Sequence, residues 1–382
     1  MTRYYFDHNA TTPIAPAVRE ALLRAVDDAW ANPSSIHQDG QRARQLFEQS
    51  RAQVATFLGC GSKDIVFTSG GTEAANLALF GAVRNDPRPR KHVLTTAIEH
   101  PAVLEPCAQL EREGVAVTYL QPNRHGAIDA DIFRRQLRPE TVLASVMHAN
   151  NETGAVHDIA ALAAIAHEAD ALFHSDGVQA AGKLSFSPAA AGIDLYSISA
   201  HKLNAPKGCG ALYVRSSVKL APILFGGRQE RSRRAGTESV TLAAAFGAAV
   251  ALDRPDLAPL RDRLEQGILA RVPDTHVNAG HSPRLPNTTN IRFDGVSAES
   301  LVIALDLRGF AVSTGAACSS GSVEPSHVLL AMGLAPEQAR SSIRFSLGIG
   351  NTAEQVDLLI EAVAASVAHL RKLSPTYSEV AQ

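Results

Sequence analysis

Three short segments place reactive side chains where a strand-like run ends. In TSGGTEAANLALF, Ser69, Gly70, Gly71 and Thr72 stand between the run DIVFT and an apolar-periodic helix. Glycines let the backbone approach an oxyanion, and the unpaired amides at the positive end of a helix donate to it, an arrangement suited to phosphate. No GK[ST] follows, so a nucleoside-triphosphate loop is disfavoured. In SISAHKLNAPKG, Lys202 comes directly after a strand pattern, beside Ser199 and His201. Partial desolvation at such a position lowers the ammonium pKa and frees the amine to condense with a carbonyl as a Schiff base. In LFHSDGVQAAGK, the run ALFHS delivers Asp176, with Gln179 three positions on. A carboxylate there needs a cation, and a pyridine nitrogen held protonated becomes an electron sink. Phosphate cradle, Schiff-base lysine and ring-nitrogen carboxylate describe one ligand, a pyridoxal cofactor.

Four more residues extend the set. His100, in TTAIEHPAV, could lie over the pyridine ring or exchange protons with a substrate. Asn151, in MHANNETG, could hydrogen-bond the cofactor's phenolic oxygen. Cys318 sits at the centre of TGAACSSGS, a run of small residues that packs poorly and bends easily, so its thiol is expected to be exposed, ionisable and able to travel. Arg344, in SSIRFSL, offers a bidentate grip on a substrate carboxylate. Each has an ordinary alternative when taken alone. Thr72 could be a plain helix N-cap, Lys202 a surface lysine, Asp176 and Asn151 turn formers, His100 a structural histidine, and Arg344 half of an ion pair between domains. Cys60, Cys107 and Cys209 stand at element ends or on a helix and read as small structural hydrophobes.

The elements that must position these residues follow from hydrophobic periodicity. DIVFT, KHVLTTA, VAVTYL, TVLASVM, ALFHSD, DLYSIS and GALYVR alternate with helical stretches such as IAALAAIAHEA. This reads as an α/β architecture, a large domain with a mostly parallel central sheet flanked by helices, in which ligands collect at the strand C-terminal ends. After DRPDLAPLRDRLEQGIL the texture changes to RLPNTTNIRF, a helix around SAESLVIALDL, the strand IRFSL and a closing amphipathic helix, an α+β unit. The expected boundaries are a large cofactor domain over 16–255 and a small domain made of 1–15 and 256–382, carrying the cysteine loop. The 382 residues are 45% hydrophobic and 19% charged, the composition of a globular chain. With 36 Lys and Arg against 38 Asp and Glu, no positive field exists to hold a nucleic acid. No run of about 18 apolar residues occurs, so neither export nor a membrane span is expected. Four scattered cysteines fit neither a zinc site nor a disulfide framework, and a reducing cytoplasm suits them.

The ordered series YFDHNATTP, NPSSIH, DIVFTSGGTEAAN, EHPAV, MHANNETG, HSDGVQAAGK, SAHKLNAPKGCGALY, GGRQERSRRAGTES, RLPNTTNI, ACSSGSVEPSHVL and SSIRFSLG resembles the NifS/IscS-type cysteine desulfurases. These are class V aminotransferases of the pyridoxal-phosphate fold type I group, and the HKLNAPKG, QERSRRAGTE and RLPNT phrases are closer to the NifS branch. The resemblance runs from Tyr5 to about Gly350. It implies pyridoxal 5'-phosphate bound as a Schiff base to Lys202, with Asp176 at the ring nitrogen and Asn151 and Gln179 near the phenolic oxygen. His100 would stack on the ring and Gly71, Thr72, Ser199 and His201 would hold the phosphate. Thr237 would reach the phosphate in a neighbouring subunit, implying a homodimer. Arg344 and Asn151 would hold the carboxylate of L-cysteine, and Cys318 would take its sulfur as a persulfide, leaving L-alanine. The persulfide would pass to a sulfur acceptor or an iron-sulfur scaffold protein. No metal site is expected, although contact of a cluster or metal with Cys318 stays open. A selenocysteine lyase or another fold type I enzyme is the alternative. Two features depart from the family. STGAACSSGS replaces a phrase closer to SSGSACTSGS, keeping every residue small, and His8 stands where Asn or Tyr is usual. The long stretch between Cys318 and Arg344 resembles the subgroup whose cysteine loop reaches out to acceptors.

Overall fold

The computed structural model describes residues 2–315 and 324–373. Seven strands form the main sheet: β2 (Ile65–Thr68), β3 (His92–Thr96), β4 (Ala116–Leu120), β5 (Thr141–Ser145), β6 (Leu172–Asp176), β7 (Leu195–Ser199) and β8 (Gly210–Val214), preceded in the chain by the short β1 (Tyr4–Tyr5). Their order is β2-β8-β7-β6-β5-β3-β4. Only β8 runs against the others, pairing antiparallel with both β2 and β7. Six strands therefore share one direction, and their C-terminal ends open on the same edge of the sheet. That edge is where loops gather in an open α/β sheet.

The strand sequences explain their places. Every residue of β3, β5 and β7 is buried, and in β6 all but Leu172, as expected where helices cover both faces, whereas β4 at the edge exposes its first residue. On one face lie α1 (Pro16–Asp28), α2 (Gln38–Leu58), α5 (Ala130–Gln136), α6 (Ile159–Glu168) and α7 (Val240–Val250), around a core that includes Phe47, Phe67, Phe173 and Phe246. On the other lie α3 (Gly71–Asn85) and α4 (Pro101–Arg112), packed through Leu77, Leu79, Val103 and Leu110. His174, fully buried in β6, bridges Ser145 of β5 (2.8 Å) and Ser197 of β7 (2.9 Å), so these three polar side chains inside the sheet satisfy one another.

A separate core is built from Phe6 and from residues between Leu257 and Val367. It joins α8 (Ala258–Arg271), α9 (Ala298–Asp306) and the C-terminal helix Ala353–Leu373 to an antiparallel sheet of β9 (Thr275–Asn278), β10 (Thr288–Phe293) and β12 (Ser342–Ser346), ordered β12-β10-β9. β1 pairs in parallel with β11 (Phe310–Ala311), and Asp7 bridges to Ser346, so the N-terminal segment is stitched into this second unit before the chain enters the first. Among the described residues no helix is long and apolar enough to cross a membrane.

Candidate active site

The loops at the common strand edge enclose a cavity of about 360 Å³ whose wall includes Gly71, Thr72, His100, Asn151, Asp176, Gln179, Ser199, His201, Lys202 and Arg344. Each large-domain residue reaches it because its strand ends there. β2 leads through Gly70 into α3, β3 into His100, β5 into Asn151, β6 ends on Asp176, and β7 runs through Ser199 into a single 3-10 turn carrying His201 and Lys202. Arg344 arrives from the opposite side, in the middle of β12.

At one end of the cavity, helix α3 starts at Gly71, with Gly70 as its N-cap residue. The alternative of Thr72 as N-cap is thereby corrected: Thr72 lies within the first turn, among the amides that have no intrahelical acceptor. A Cβ on Gly71 would stand 2.8 Å from Val178 Cγ2, so only glycine lets this backbone come so close to the β6 loop. Gly210 is required in the same way, because a Cβ there would meet the Gly70 backbone at 2.6 Å. Glu73 folds back to accept from the Ser69 amide (2.7 Å) and pairs with Arg234 (2.8 Å), which fixes the turn.

The Lys202 amine donates to the backbone carbonyls of Asn9 and Ala10, the latter at 2.6 Å. Burial, with Arg344 nearby, lowers its pKa to about 8, against the opposing pull of Asp7 and Asp176. Asp176 is 8% exposed, and its Oδ1 accepts from the Val178 amide at 2.9 Å. Burial raises its pKa, while His100, that amide and Lys202 draw it down. Such a carboxylate is short of a cationic partner. His100 caps α4 by accepting from the Ala102 amide through Nδ1 (3.1 Å). Its ring is open to the cavity, yet the surrounding protein lowers its pKa by desolvation; Lys202 and His327 act in the same sense, and Asp176 opposes them. His201 is held by Thr11 Oγ1 (3.1 Å), and burial followed by Lys202 lowers its pKa to about 4.

Arg344 is 4% exposed; one terminal nitrogen pairs with Asp7 Oδ1 at 2.6 Å and the other donates to the Asn151 carbonyl at 3.0 Å. Its Nε is buried with no hydrogen-bond partner. The donor set suits a phosphorylated pyridine aldehyde: unpaired helix amides for the phosphate, a deprotonatable amine for the aldehyde, and a buried carboxylate for a pyridinium.

Two further expectations concern Thr237, expected to reach the phosphate in a neighbouring subunit, and Cys318. Thr237 is exposed and lines a separate space of about 190 Å³ with Glu230 and Arg234. Cys318 lies outside the described residues, although Ser313 and Gly315 before it stand on the cavity wall. The other three thiols are raised to about 12, chiefly by burial, which disfavours their thiolates. His8 has a packing role: its ring lies against Gly348 and meets Tyr5 edge-on at 4.9 Å between centroids, and burial, with Lys183 nearby, lowers its pKa to about 4.

Sequence reasoning missed the partners that come from far away in the chain. Asp7 and the Asn9 and Ala10 carbonyls carry no local signal, being 192 or more positions from the groups they bind. Glu99 is a second omission. It is fully buried, accepts from Thr96 Oγ1 and the Met147 amide (both 2.8 Å), and is raised to about 8 by burial. A glutamate directly before a strand-end histidine was the one visible cue.

The family model described as Aminotransferase class-V matches residues 4–359. A protein of Nostoc sp. (strain PCC 7120) named "Cysteine desulfurase" is 46% identical over 382 residues, covering 98% of this chain and 95% of the relative. Among solved structures, one named "NIFS-LIKE PROTEIN" superposes with a TM-score of 0.88 at 31% identity, covering 96% of this chain and 100% of the other. Another, "SspA in complex with cysteine", has a TM-score of 0.83 at 36% identity over 91% and 99% of the two chains.

Proposed function

The chain belongs to the aminotransferase class-V family, and from that premise we propose that it is a cysteine desulfurase, which takes the sulfur of L-cysteine as a persulfide on Cys318 and releases L-alanine. The observation that carries this reading is the Lys202 amine, with a pKa near 8, between an anion cradle at α3 and the guanidinium of Arg344. Relatives at this level of identity bear the name of that activity.

Pyridoxal 5'-phosphate is the cofactor of the family, and when bound it supplies a sink for the electron pair left at the substrate Cα. Lys202 would carry it through its aldehyde, with Asp176 facing the ring nitrogen, Asn151 and Gln179 the phenolic oxygen, and His100 the ring. Gly71, Thr72, Ser199 and His201 would take the phosphate, together with Thr237 from a second copy in a homodimer. Arg344 and Asn151 grip the substrate carboxylate, which sets the Cα–H bond toward Lys202. The freed amine takes that proton, a task its lowered pKa suits at neutral pH. The Cys318 thiolate then attacks the substrate sulfur; an S–S bond forms as the Cβ–S bond breaks, and the carbon keeps the bonding pair and is protonated to the methyl of alanine. His100 would carry protons between these groups. Net, cysteine and one thiol become alanine and one persulfide, which passes to an acceptor such as an iron-sulfur scaffold protein in the cytoplasm.

The test is the absorbance spectrum of purified protein with and without L-cysteine, coupled to alanine detection. The expected result is a cofactor band that changes on adding cysteine and one alanine per sulfur released. Protein that stays colourless when given the cofactor, or makes no alanine, refutes the reading.

A further inference from the structure

We propose that the side chain of Asn9, backed by Lys183, builds the seat in which the Lys202 amine rests once it is free, and that both are positioning residues for that amine. The proposal rests on Lys202 being the cofactor lysine. The seat is made of two backbone carbonyls, Asn9 O and Ala10 O, which both accept from the Lys202 amine.

Backbone carbonyls direct an amine only if the backbone cannot move, and Asn9 is held on every side. Its side chain is 1% exposed and uses its full hydrogen-bonding capacity. Nδ2 donates to the Asn151 carbonyl (3.1 Å) and Thr288 Oγ1 (2.9 Å), while Oδ1 accepts from Lys183 Nζ (3.0 Å) and Asn287 Nδ2 (3.2 Å). These partners belong to both structural units, so one asparagine sets the N-terminal segment against the large sheet and the small one together. Thr12 closes the frame by donating from its amide (3.0 Å) and hydroxyl (2.8 Å) to the His201 carbonyl, one residue before the lysine. Seat and amine therefore share one rigid support.

Lys183 has no other evident task. It lies behind the cavity with no carboxylate partner among the described residues and donates to two amide oxygens, Asn9 Oδ1 and Gln179 Oε1 (2.7 Å). That bridge also turns the Gln179 amide so that Nε2 donates to the Asn9 carbonyl (3.0 Å), the same oxygen that receives Lys202.

The seat has a predictable sign. Carbonyl oxygens accept hydrogen bonds and favour the ammonium, so loosening them lowers the pKa of Lys202. The other groups facing the amine stay in place: Arg344, His100, His201 and Lys183 disfavour its charge when they carry their own, and Asp7 and Asp176 favour it. The experiment compares full-length wild type, Asn9→Ser and Lys183→Met. Lys202 is labelled by reductive methylation across pH in cofactor-stripped protein and quantified by peptide mass spectrometry, and kcat, KM and melting temperature are measured on the holoenzyme. In Asn9→Ser the labelling midpoint is expected to fall by about half to one pH unit. Lys183→Met loosens the seat but also removes a group that disfavours the ammonium, two effects of opposite sign on the midpoint, so it is read by kcat, which drops severalfold in both variants while KM for L-cysteine changes less than about twofold. A wild-type midpoint in Asn9→Ser, including one accompanied by a lower melting temperature alone, or a wild-type kcat in Lys183→Met, overturns the proposal. If Asn9→Ser does not fold, Thr288→Val, which removes one acceptor of the Asn9 amide without changing any charge, decides by the same midpoint. Failure of the desulfurase reading would show separately, as absent alanine formation in wild type.

Discussion

Arg344 is asked to do two things, to grip a carboxylate and to depress the pKa of Lys202, and two substitutions separate them. Arg344→Lys keeps the cation but loses the planar fork, of which one arm is committed to Asp7 at 2.6 Å and the other to the Asn151 carbonyl at 3.0 Å. A lysine has one nitrogen for these tasks, so at least one charge-assisted hydrogen bond to the substrate goes. Such a bond contributes about 1.5–3 kcal/mol, and about 1.4 kcal/mol is a factor of ten, so kcat/KM for L-cysteine falls roughly ten- to a hundredfold. The acid limb of the kcat profile stays where it was, since the positive charge remains. Arg344→Gln removes that charge as well. With Lys202 near 8, roughly a tenth of the amine is unprotonated at pH 7. Losing the cation favours the ammonium, raises that pKa and moves the acid limb to higher pH. Steady-state alanine production between pH 6 and 9.5 reads both effects, with melting temperature as the control for folding. An Arg344→Lys enzyme with wild-type kcat/KM, or an Arg344→Gln enzyme whose acid limb has not moved, would refute the reasoning.

Cys318→Ala protein should bind cofactor and still change its absorbance on adding L-cysteine, yet yield no alanine or sulfide; turnover at the wild-type rate removes Cys318 from the scheme. Lys202→Ala should lose the long-wavelength absorbance of the lysine-bound cofactor, and a retained band would mean another amine carries it. Burial lowers His174 to about 3 and is the leading cause lowering His8, His92 and His148 to about 4, against an unfolded value near 6.5. Their contribution to stability is whole above pH 6.5 and is lost as pH falls toward 4, at about 1.4 kcal/mol per pH unit for each histidine. Urea midpoints should therefore drop steeply below pH 6, and His174→Asn should show a shallower drop; parallel curves would argue against it. Glu230 accepts from both terminal nitrogens of Arg51 at 2.7 Å and from the Phe67 amide at 3.0 Å, all buried. Glu230→Gln leaves the buried arginine with Glu48, at 3.0 Å, as its remaining carboxylate and should cost about 1.5–3 kcal/mol in urea unfolding, and a loss under about 1 kcal/mol would contradict the account.

Much of the cavity was legible before any coordinates because strand direction and strand end are local properties. Asp176, Lys202, His100 and Asn151 each stand at or just beyond the end of an apolar run, and parallel strands present those ends on one edge. The cradle at Gly71 had an ordinary strand-to-helix turn as its alternative when the segment is read alone, and the close approach of Gly71 to Val178 is a tertiary fact. Arg344 left two readings open, ion pair or substrate grip. The structure shows the ion pair to Asp7 and also sets the guanidinium on the cavity wall.

What no local pattern contained is who meets whom across the two units. Asp7 and Arg344 lie 337 positions apart, and Asn9 finds Thr288 279 positions away. Those meetings depend on β1 pairing with β11 and on the bridge from Asp7 to Ser346, registers decided by how the second core closes around Phe6. Hydrophobic period and chain direction act over a few residues and can be read along the chain. The seat for the lysine amine needs a backbone held from several sides at once, and that condition exists only after both cores have packed.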